Sequence, residues 1–401
     1  MRVLPELPTV ILLCVFSALG RFHFDSDSLR NASGLIVSKG YPVEDHTAVT
    51  EDGYLLGMQR IPYGRNETAV LGSGQKKPVV LVIHAAAVSS ADFVINFPEQ
   101  SLGFLLADAG YDVWLGNLRG NVYTSHVRYT KRERAFWDFS FDQMIEFDVP
   151  AMIDTALGTT NQTKLYYVGL SQGTQVLFGL LAEKPNYNDK IALFMAMGPI
   201  AYIGHMTANV VLLIPFADLI VTFLQLTTSG GVLQINWETV LSAITLCGDD
   251  MTIAVCLEFV EIANGIDWNQ LNVTRVAVYF THSPAGTSIT NLYHFAQIYR
   301  CNCFRKYDYG FLKNLIKYGS FQPPTYDMTL VRAPVGLYYS NSDVYSVPED
   351  VARLESELPN VVRSYLVPEE EFTHYDFALG IHAADMVYRD MLQLMEQYPN
   401  Q

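Results

Sequence analysis

The stretch KLYYVGLSQGTQVLFGLLAEK, residues 164 to 184, constrains the fold more than any other part of the chain. Leu165 to Val168 reads as a buried strand, and Thr174 to Glu183 carries a helical pattern. Between them stands Gly169-Leu170-Ser171-Gln172-Gly173, a G-x-S-x-G pentapeptide. A strand that turns at once into a helix leaves room only for small residues beside the serine. It strains the serine backbone and lifts the Oγ above the sheet, as a nucleophile elbow does. The bland alternative is a glycine-rich turn with a solvated serine, but a strand before and a helix after are the context an elbow requires.

An elbow needs a parallel sheet around it, and the flanking sequence supplies one. Pro78 to Ala85 and Tyr111 to Asn117 read as strands, and Phe139 to Leu157 as a helix leading into the serine strand. Near the C-terminus Ala333 to Ser340 and Val361 to Val367 repeat the strand pattern, and the chain ends on a helix over Ala384 to Glu396. Strands alternating with helices predict a mainly parallel sheet covered on both faces. From about Tyr202 to Asp327 this alternation stops and apolar, helical, cysteine-bearing sequence takes over. Its most apolar run, Asn209 to Leu226, contains Pro215 and Asp218, which argues against a transmembrane span. By composition it fits equally a core helix and the apolar wall of a cap over an active site.

A serine hydroxyl needs a general base, and the base needs an acid to orient it. On this kind of sheet the chain order is serine, acid, histidine. Asp343 lies just past the Ala333 to Ser340 strand, in a turn rich in Asn and Ser. His374 follows the Val361 to Val367 strand and precedes the last helix, whereas His382 falls at that helix's start and reads as structural. The oxyanion hole takes one N–H from the residue after the nucleophile, Gln172, and one from the loop after an early strand, where Ala86 is the candidate.

The N-terminus reads as a signal peptide over residues 1 to 20. Arg2 precedes the apolar run Thr9 to Gly20, and Ala18-Leu19-Gly20 gives a cleavable end. Entry to the secretory pathway makes Asn31, Asn66, Asn161 and Asn272, each in N-x-[ST], glycosylation candidates. Removing the signal leaves Cys247, Cys256, Cys301 and Cys303, for which arithmetic allows three pairings. No metal-binding spacing occurs and no cofactor is implied. The net charge of −15 argues against nucleic acid as a partner, because there is no basic stripe to meet phosphates. It suits a protein outside the cytosol or in an acidic lumen.

Longer blocks carry a family resemblance. GYPVEDHTAVTEDGYLLGMQRIPYGR (residues 40 to 65), LADAGYDVWLGNLRGN, FWDFSFDQMIEFDVPAMID and HSPAGTSITNLYHFAQ (residues 282 to 297) resemble the acid lipase family, which includes lysosomal acid lipase and gastric lipase. The resemblance implies an α/β-hydrolase core over 21–201 and 328–401 with an inserted helical cap and lid over 202–327. It places the family's nucleophile, acid and histidine on Ser171, Asp343 and His374, and the cap disulfide on Cys247 and Cys256, leaving Cys301 and Cys303 unassigned. It implies a serine lipase, monomeric, acting on triacylglycerols or cholesteryl esters at an emulsion or membrane surface, in the lysosome or outside the cell. Two positions depart from the family. Leu170 stands where it has His, and His84-Ala85-Ala86-Ala87 stands where it has His-Gly-Leu-Leu. The altered oxyanion loop argues for a catalytically weak lipid-binding protein and the intact triad against it, and an esterase for small soluble esters is a third reading, which the apolar cap disfavours.

Overall fold

The apolar runs of the sequence assemble into one nine-stranded sheet in the computed structural model, which describes residues 24–66 and 76–399. The proposed signal peptide lies outside the described residues. The chain forms β1 (Glu44–Val49), β2 (Tyr54–Ile61), β3 (Val79–Ile83), β4 (Asp112–Gly116), β5 (Thr124–His126), β6 (Leu165–Leu170) and β7 (Ile191–Met197). Two short strands, β8 (Gly231–Val232) and β9 (Thr287–Ser288), pair only with each other, and β10 (Val335–Tyr339) and β11 (Val361–Leu366) complete the main sheet. Spatial order is β1-β2-β4-β3-β6-β7-β10-β11, with β5 on β2. Pairing is parallel from β4 to β11 and antiparallel around β2.

Every residue of β3, β4 and β6 is buried, as expected for parallel strands with helices on both faces. Alternate side chains feed two apolar layers. Leu81, Ile83, Trp114 and Tyr167 enter one, and Val80, Val82, Val113, Leu115, Tyr166 and Val168 the other. The chain leaves β3 toward β4 on one side, then crosses to β6 on the other. This switch opens a crevice at the C-terminal ends of β3 and β6, where ligands bind in open α/β sheets.

The expected strands are present within their stated spans, except that the serine strand runs past Val168 to Leu170. The expected helix over Phe139 to Leu157 is interrupted by a π turn, Met144–Asp148, before Val149–Thr160. Pro150 has no N–H to offer the Glu146 carbonyl, and Lys184 Nζ donates to that oxygen instead at 2.7 Å. The last helix likewise begins as a π turn, Ala384–Tyr388, and continues over Arg389–Gln397. His382 lies just before it, its N–H donating to Gln270 Oε1.

Between β7 and β10 the chain adds no strand to the main sheet. It is tied back to the core through specific contacts. The buried Arg275 guanidinium holds Asp25 at 2.7 Å and Asp27 at 2.8 Å. Cys247 and Cys256 are bonded, joining the helices Trp237–Cys247 and Ile253–Asn264, and Cys301 is bonded to Cys303. The run from Asn209 to Leu226 is not a core helix. It forms 3-10 turns over Asn209–Phe216 and an α-helix over Ala217–Thr227 whose residues are all at least partly exposed. It is the one helix among the described residues long and apolar enough to cross a bilayer. Here it lies against the helix Ile289–Cys301, with Asp218 bonded to Arg300 at 2.8 Å and to Tyr293. Of the four sequon asparagines, Asn31, Asn66 and Asn161 are exposed and Asn272 is half-buried.

Candidate active site

The elbow forms as its sequence requires. β6 ends at Leu170, the helix Gln172–Glu183 starts two residues later, and Ser171 between them takes φ 55 and ψ −116. A side chain other than serine's has no room beside it. A Cβ on Gly169 would lie 2.6 Å from the Gly173 carbonyl carbon, and one on Gly173 would lie 2.2 Å from the Ile83 oxygen at the end of β3. The Ser171 N–H donates to Met197 O at 3.0 Å, and its carbonyl accepts from Thr174 Oγ1 at 2.6 Å. The strained turn is therefore held at both ends of the serine.

Asp343 and His374 meet. The His374 Nδ1–H donates to Asp343 Oδ2 at 2.6 Å, and both side chains are buried. Asp343 Oδ1 accepts the N–H groups of Tyr345 and Ser346, each at 2.8 Å, which fixes the carboxylate plane. With Nδ1 committed to the acid, the proton-accepting edge of the imidazole is Nε2. The pair stands over Gly198, the residue after Met197. A Cβ there would lie 2.9 Å from His374 Cε1 and 3.3 Å from Asp343 Oδ2. Ser171 and the Asp343–His374 pair thus attach to neighbouring residues at the end of β7. The sequence reading did not single out Gly198; its signal was a glycine closing the apolar run IALFMAM.

Gln172, the first residue of the helix, has its side chain in an amide pair with Asn291, its Nε2 donating to Asn291 Oδ1 at 3.1 Å. The Ala86 loop is governed by His84. His84 Nε2 accepts the N–H of Leu118 at 3.1 Å, so the ring proton is on Nδ1 and donates to the Ala85 oxygen at 2.7 Å. Burial holds this imidazole neutral, its pKa lowered to about 4. The Ala85 carbonyl and the Ala86 N–H belong to one peptide plane, so His84 orients the very N–H that was singled out as a donor. The left-handed residue of this loop is Ala87, with φ 60; Ala85 is not in that region. The Ala87 carbonyl accepts the N–H of Ala285, from the segment between β7 and β10, at 2.7 Å. Among the described residues no group of His, Cys, Asp or Glu is placed to hold a metal ion.

Residues 32–97 match the family described as a partial alpha/beta-hydrolase lipase region, and residues 78–220 match the alpha/beta hydrolase fold. The chain is 36% identical to lipase member N of Mus musculus, covering 92% of this chain and 91% of that one. It is 35% identical to the gastric triacylglycerol lipase of Bos taurus, covering 95% of each. The fold is shared with a soluble variant of monoglyceride lipase from Saccharomyces cerevisiae, at a TM-score of 0.52 and 13% identity over 89% of this chain and 97% of that one. Relatedness at this level along almost the whole length, on this fold, means that the chain belongs to the acid lipase family of α/β-hydrolases and is a carboxylic ester hydrolase.

Proposed function

We propose that the protein hydrolyses neutral lipid esters, triacylglycerols and cholesteryl esters, through an acyl-enzyme on Ser171. The observation that carries this reading is the Asp343–His374 pair, bonded at 2.6 Å and standing over Gly198 next to the carbonyl that anchors Ser171. His374 Nε2 takes the Ser171 proton as Oγ attacks the ester carbonyl. Asp343 holds the imidazole in the tautomer this needs and stabilises the imidazolium. The N–H groups of Gln172 and Ala86 receive the oxyanion, the imidazolium protonates the departing alcohol, and water releases the acid by the same steps reversed in role.

Residues 202–327 act as a cap and lid. Leu212, Phe216, Leu219, Phe223 and Leu226 form an exposed apolar stripe along the Asn209–Thr227 segment, suited to an emulsion or membrane surface. The bonded cysteines favour an oxidising compartment, so the protein works in the secretory pathway, in the lysosome or outside the cell. Asn31, Asn66, Asn161 and Asn272 carry glycans there, and the active unit is a monomer.

The test combines fluorophosphonate labelling with hydrolysis of emulsified trioleoylglycerol and of a soluble short-chain ester. Labelling that maps to Ser171, with turnover of the emulsion, is expected. A folded protein that binds lipid but takes no label and turns over neither ester would make it a lipid-binding member of the family.

A further inference from the structure

The helix Phe311–Tyr318, sequence FLKNLIKY, is turned inside out. Its one buried residue is polar: Asn314 is 1% exposed. The Asn314 amide is fully used, with Oδ1 accepting from Tyr309 N–H at 2.9 Å and Nδ2 donating to Asp308 Oδ1 at 2.7 Å and to Phe321 O at 3.1 Å. Tyr318 adds a second tether, its hydroxyl donating to Tyr307 O at 2.9 Å. The opposite face is apolar and open: Phe311 is 60% exposed, Leu312 70%, Leu315 42% and Ile316 85%. Phe321 extends it, stacked on Phe311 at 3.9 Å and itself 45% exposed. A helix held by hydrogen bonds with its greasy side in water is costly, since each large apolar side chain forgoes the free energy that its burial would release. Something apolar covers this face in use.

Charge selects the occupant. The chain carries a net −15, yet Arg305, Lys306, Lys313 and Lys317 face only Asp308 as an acid within residues 305–318. Arg305 and Lys306 are engaged by Asp308 and Glu183, and Lys317 rests on the Tyr309 hydroxyl. Lys313 and Lys317 follow one another by one turn along the border of the apolar face, where long stems can lift their ammonium groups to headgroup height. In a two-fold pair of these helices the same lysines would oppose their own copies, which argues against a second copy of the chain. We propose that the helix Phe311–Tyr318, with Phe321, is a membrane-surface anchor that inserts into a lipid surface bearing anionic headgroups. It is separate from the Asn209–Thr227 stripe. It rests on the lipid-ester reading only in that such an enzyme must reach a lipid surface.

Binding of the purified protein to sedimenting vesicles tests this, using phosphatidylcholine with and without about 30% phosphatidylglycerol. Leu312→Asp/Ile316→Asp is expected to weaken binding to both vesicles by at least tenfold. Lys313→Gln/Lys317→Gln is expected to weaken binding by about fivefold per lysine on the anionic vesicles and not on the neutral ones. Turnover of a soluble short-chain ester should be unchanged in both variants, which also shows that they are folded. Wild-type binding by both variants would overturn the proposal. So would a shift of the wild type from dimer to monomer on Leu312→Asp/Ile316→Asp, since a second copy would then be the cover. Vesicle binding that behaves as expected in a protein with no ester turnover would leave the anchor standing and remove the lipase reading alone.

Discussion

The ring of His374 occupies the space that a side chain at position 198 would need. A Cβ on Gly198 would approach His374 Cε1 to 2.9 Å and Nδ1 to 3.0 Å, and Gly198 itself has φ 51. His374, the proposed base for Ser171, is thus seated on backbone. Gly198→Ala is expected to push the imidazole away from Ser171 or to twist the end of β7. A misplacement of about 1 Å at a reacting group lowers kcat by about 10²-fold. Fluorophosphonate labelling of Ser171 should slow in parallel. Labelling and turnover at wild-type rates would mean that His374 is not the base.

Ser171 separates chemistry from stability. Ser171→Ala is expected to lower kcat by about 10⁶-fold while leaving the protein folded, since the nucleophile of a triad is lost. Ser171→Gly should be equally inactive, yet more stable than Ser171→Ala. The φ of 55 and ψ of −116 at this position strain any residue with a Cβ, at about 1–3 kcal/mol. Thermal unfolding of the two variants side by side checks the order. An alanine variant as stable as the glycine variant would show that the elbow stores no strain.

The three residues proposed as a triad stand out in the sequence because each sits beside a strong local signal. Ser171 has two glycines and a strand-to-helix change, and Asp343 and His374 each follow a strand in the required chain order. Gly198 was not legible as a site residue. Its need for glycine comes from His374, which reaches it across the sheet from a distant part of the chain. The direction faced by Asn209–Thr227 was equally hidden, because a run with so few polar residues inside it as Asp218, Thr222 and Gln225 does not betray which way its apolar side points. The helix Phe311–Tyr318 shows the limit most plainly: its periodicity marks a face, but only the Asn314 hydrogen bonds reveal that the apolar face is the outer one.

Burial pushes the carboxyls of Asp92 and Asp376 up to about 7 from 3.8. Their folded pKa is raised, so their contribution to stability is full below 3.8 and is lost as pH rises through about 7. Burial lowers His84 and His294 from 6.5 to about 4, so their contribution is full above 6.5 and is lost as pH falls toward 4. The two pairs oppose each other over one window, and wild-type stability should vary little there on their account. Asp376→Asn breaks the balance while keeping an oxygen for the Thr373 N–H and hydroxyl, which donate at 2.6 and 2.7 Å. Relative to wild type, this variant should gain stability as pH rises from acidic to mildly alkaline. The gain is up to about 4 kcal/mol, at about 1.4 kcal/mol per pH unit. Denaturant midpoints across that range are the measurement, and a difference independent of pH would refute the assignment.

Polarising the outward stripe should separate surface from solution chemistry. Leu219→Ser, Phe223→Ser and Leu226→Ser together remove three large exposed apolar side chains from the Ala217–Thr227 helix. Hydrolysis of emulsified long-chain ester is expected to fall by at least tenfold, since each such side chain is worth roughly 1.5–3 kcal/mol when buried in lipid. Hydrolysis of a soluble butyrate ester should change little. Equal losses on both substrates would mean that the stripe supports the site from within the cap and does not meet lipid.

The oxyanion loop offers the finest test, because two adjacent alanines have different duties. Ala85 lies outside the left-handed region and its carbonyl is held by His84, whereas Ala87 has φ 60. Ala85→Gly is therefore expected to be neutral in kcat and slightly destabilising, through the added freedom of the unfolded chain. Ala87→Gly is expected to stabilise by up to about 1 kcal/mol, because a left-handed alanine is strained by roughly 1–2 kcal/mol and glycine is not. The donor itself is probed through His84. His84→Ala frees the Ala85–Ala86 peptide plane and should lower kcat by about 10²–10³-fold with KM nearly unchanged, since the oxyanion exists only along the reaction path. His84→Asn retains an amide donor near the position of Nδ1 and should recover a large part of that loss. If both His84 variants fall equally in kcat and KM, the histidine merely supports the loop. If Asn rescues kcat alone, the Ala86 N–H is the second oxyanion donor.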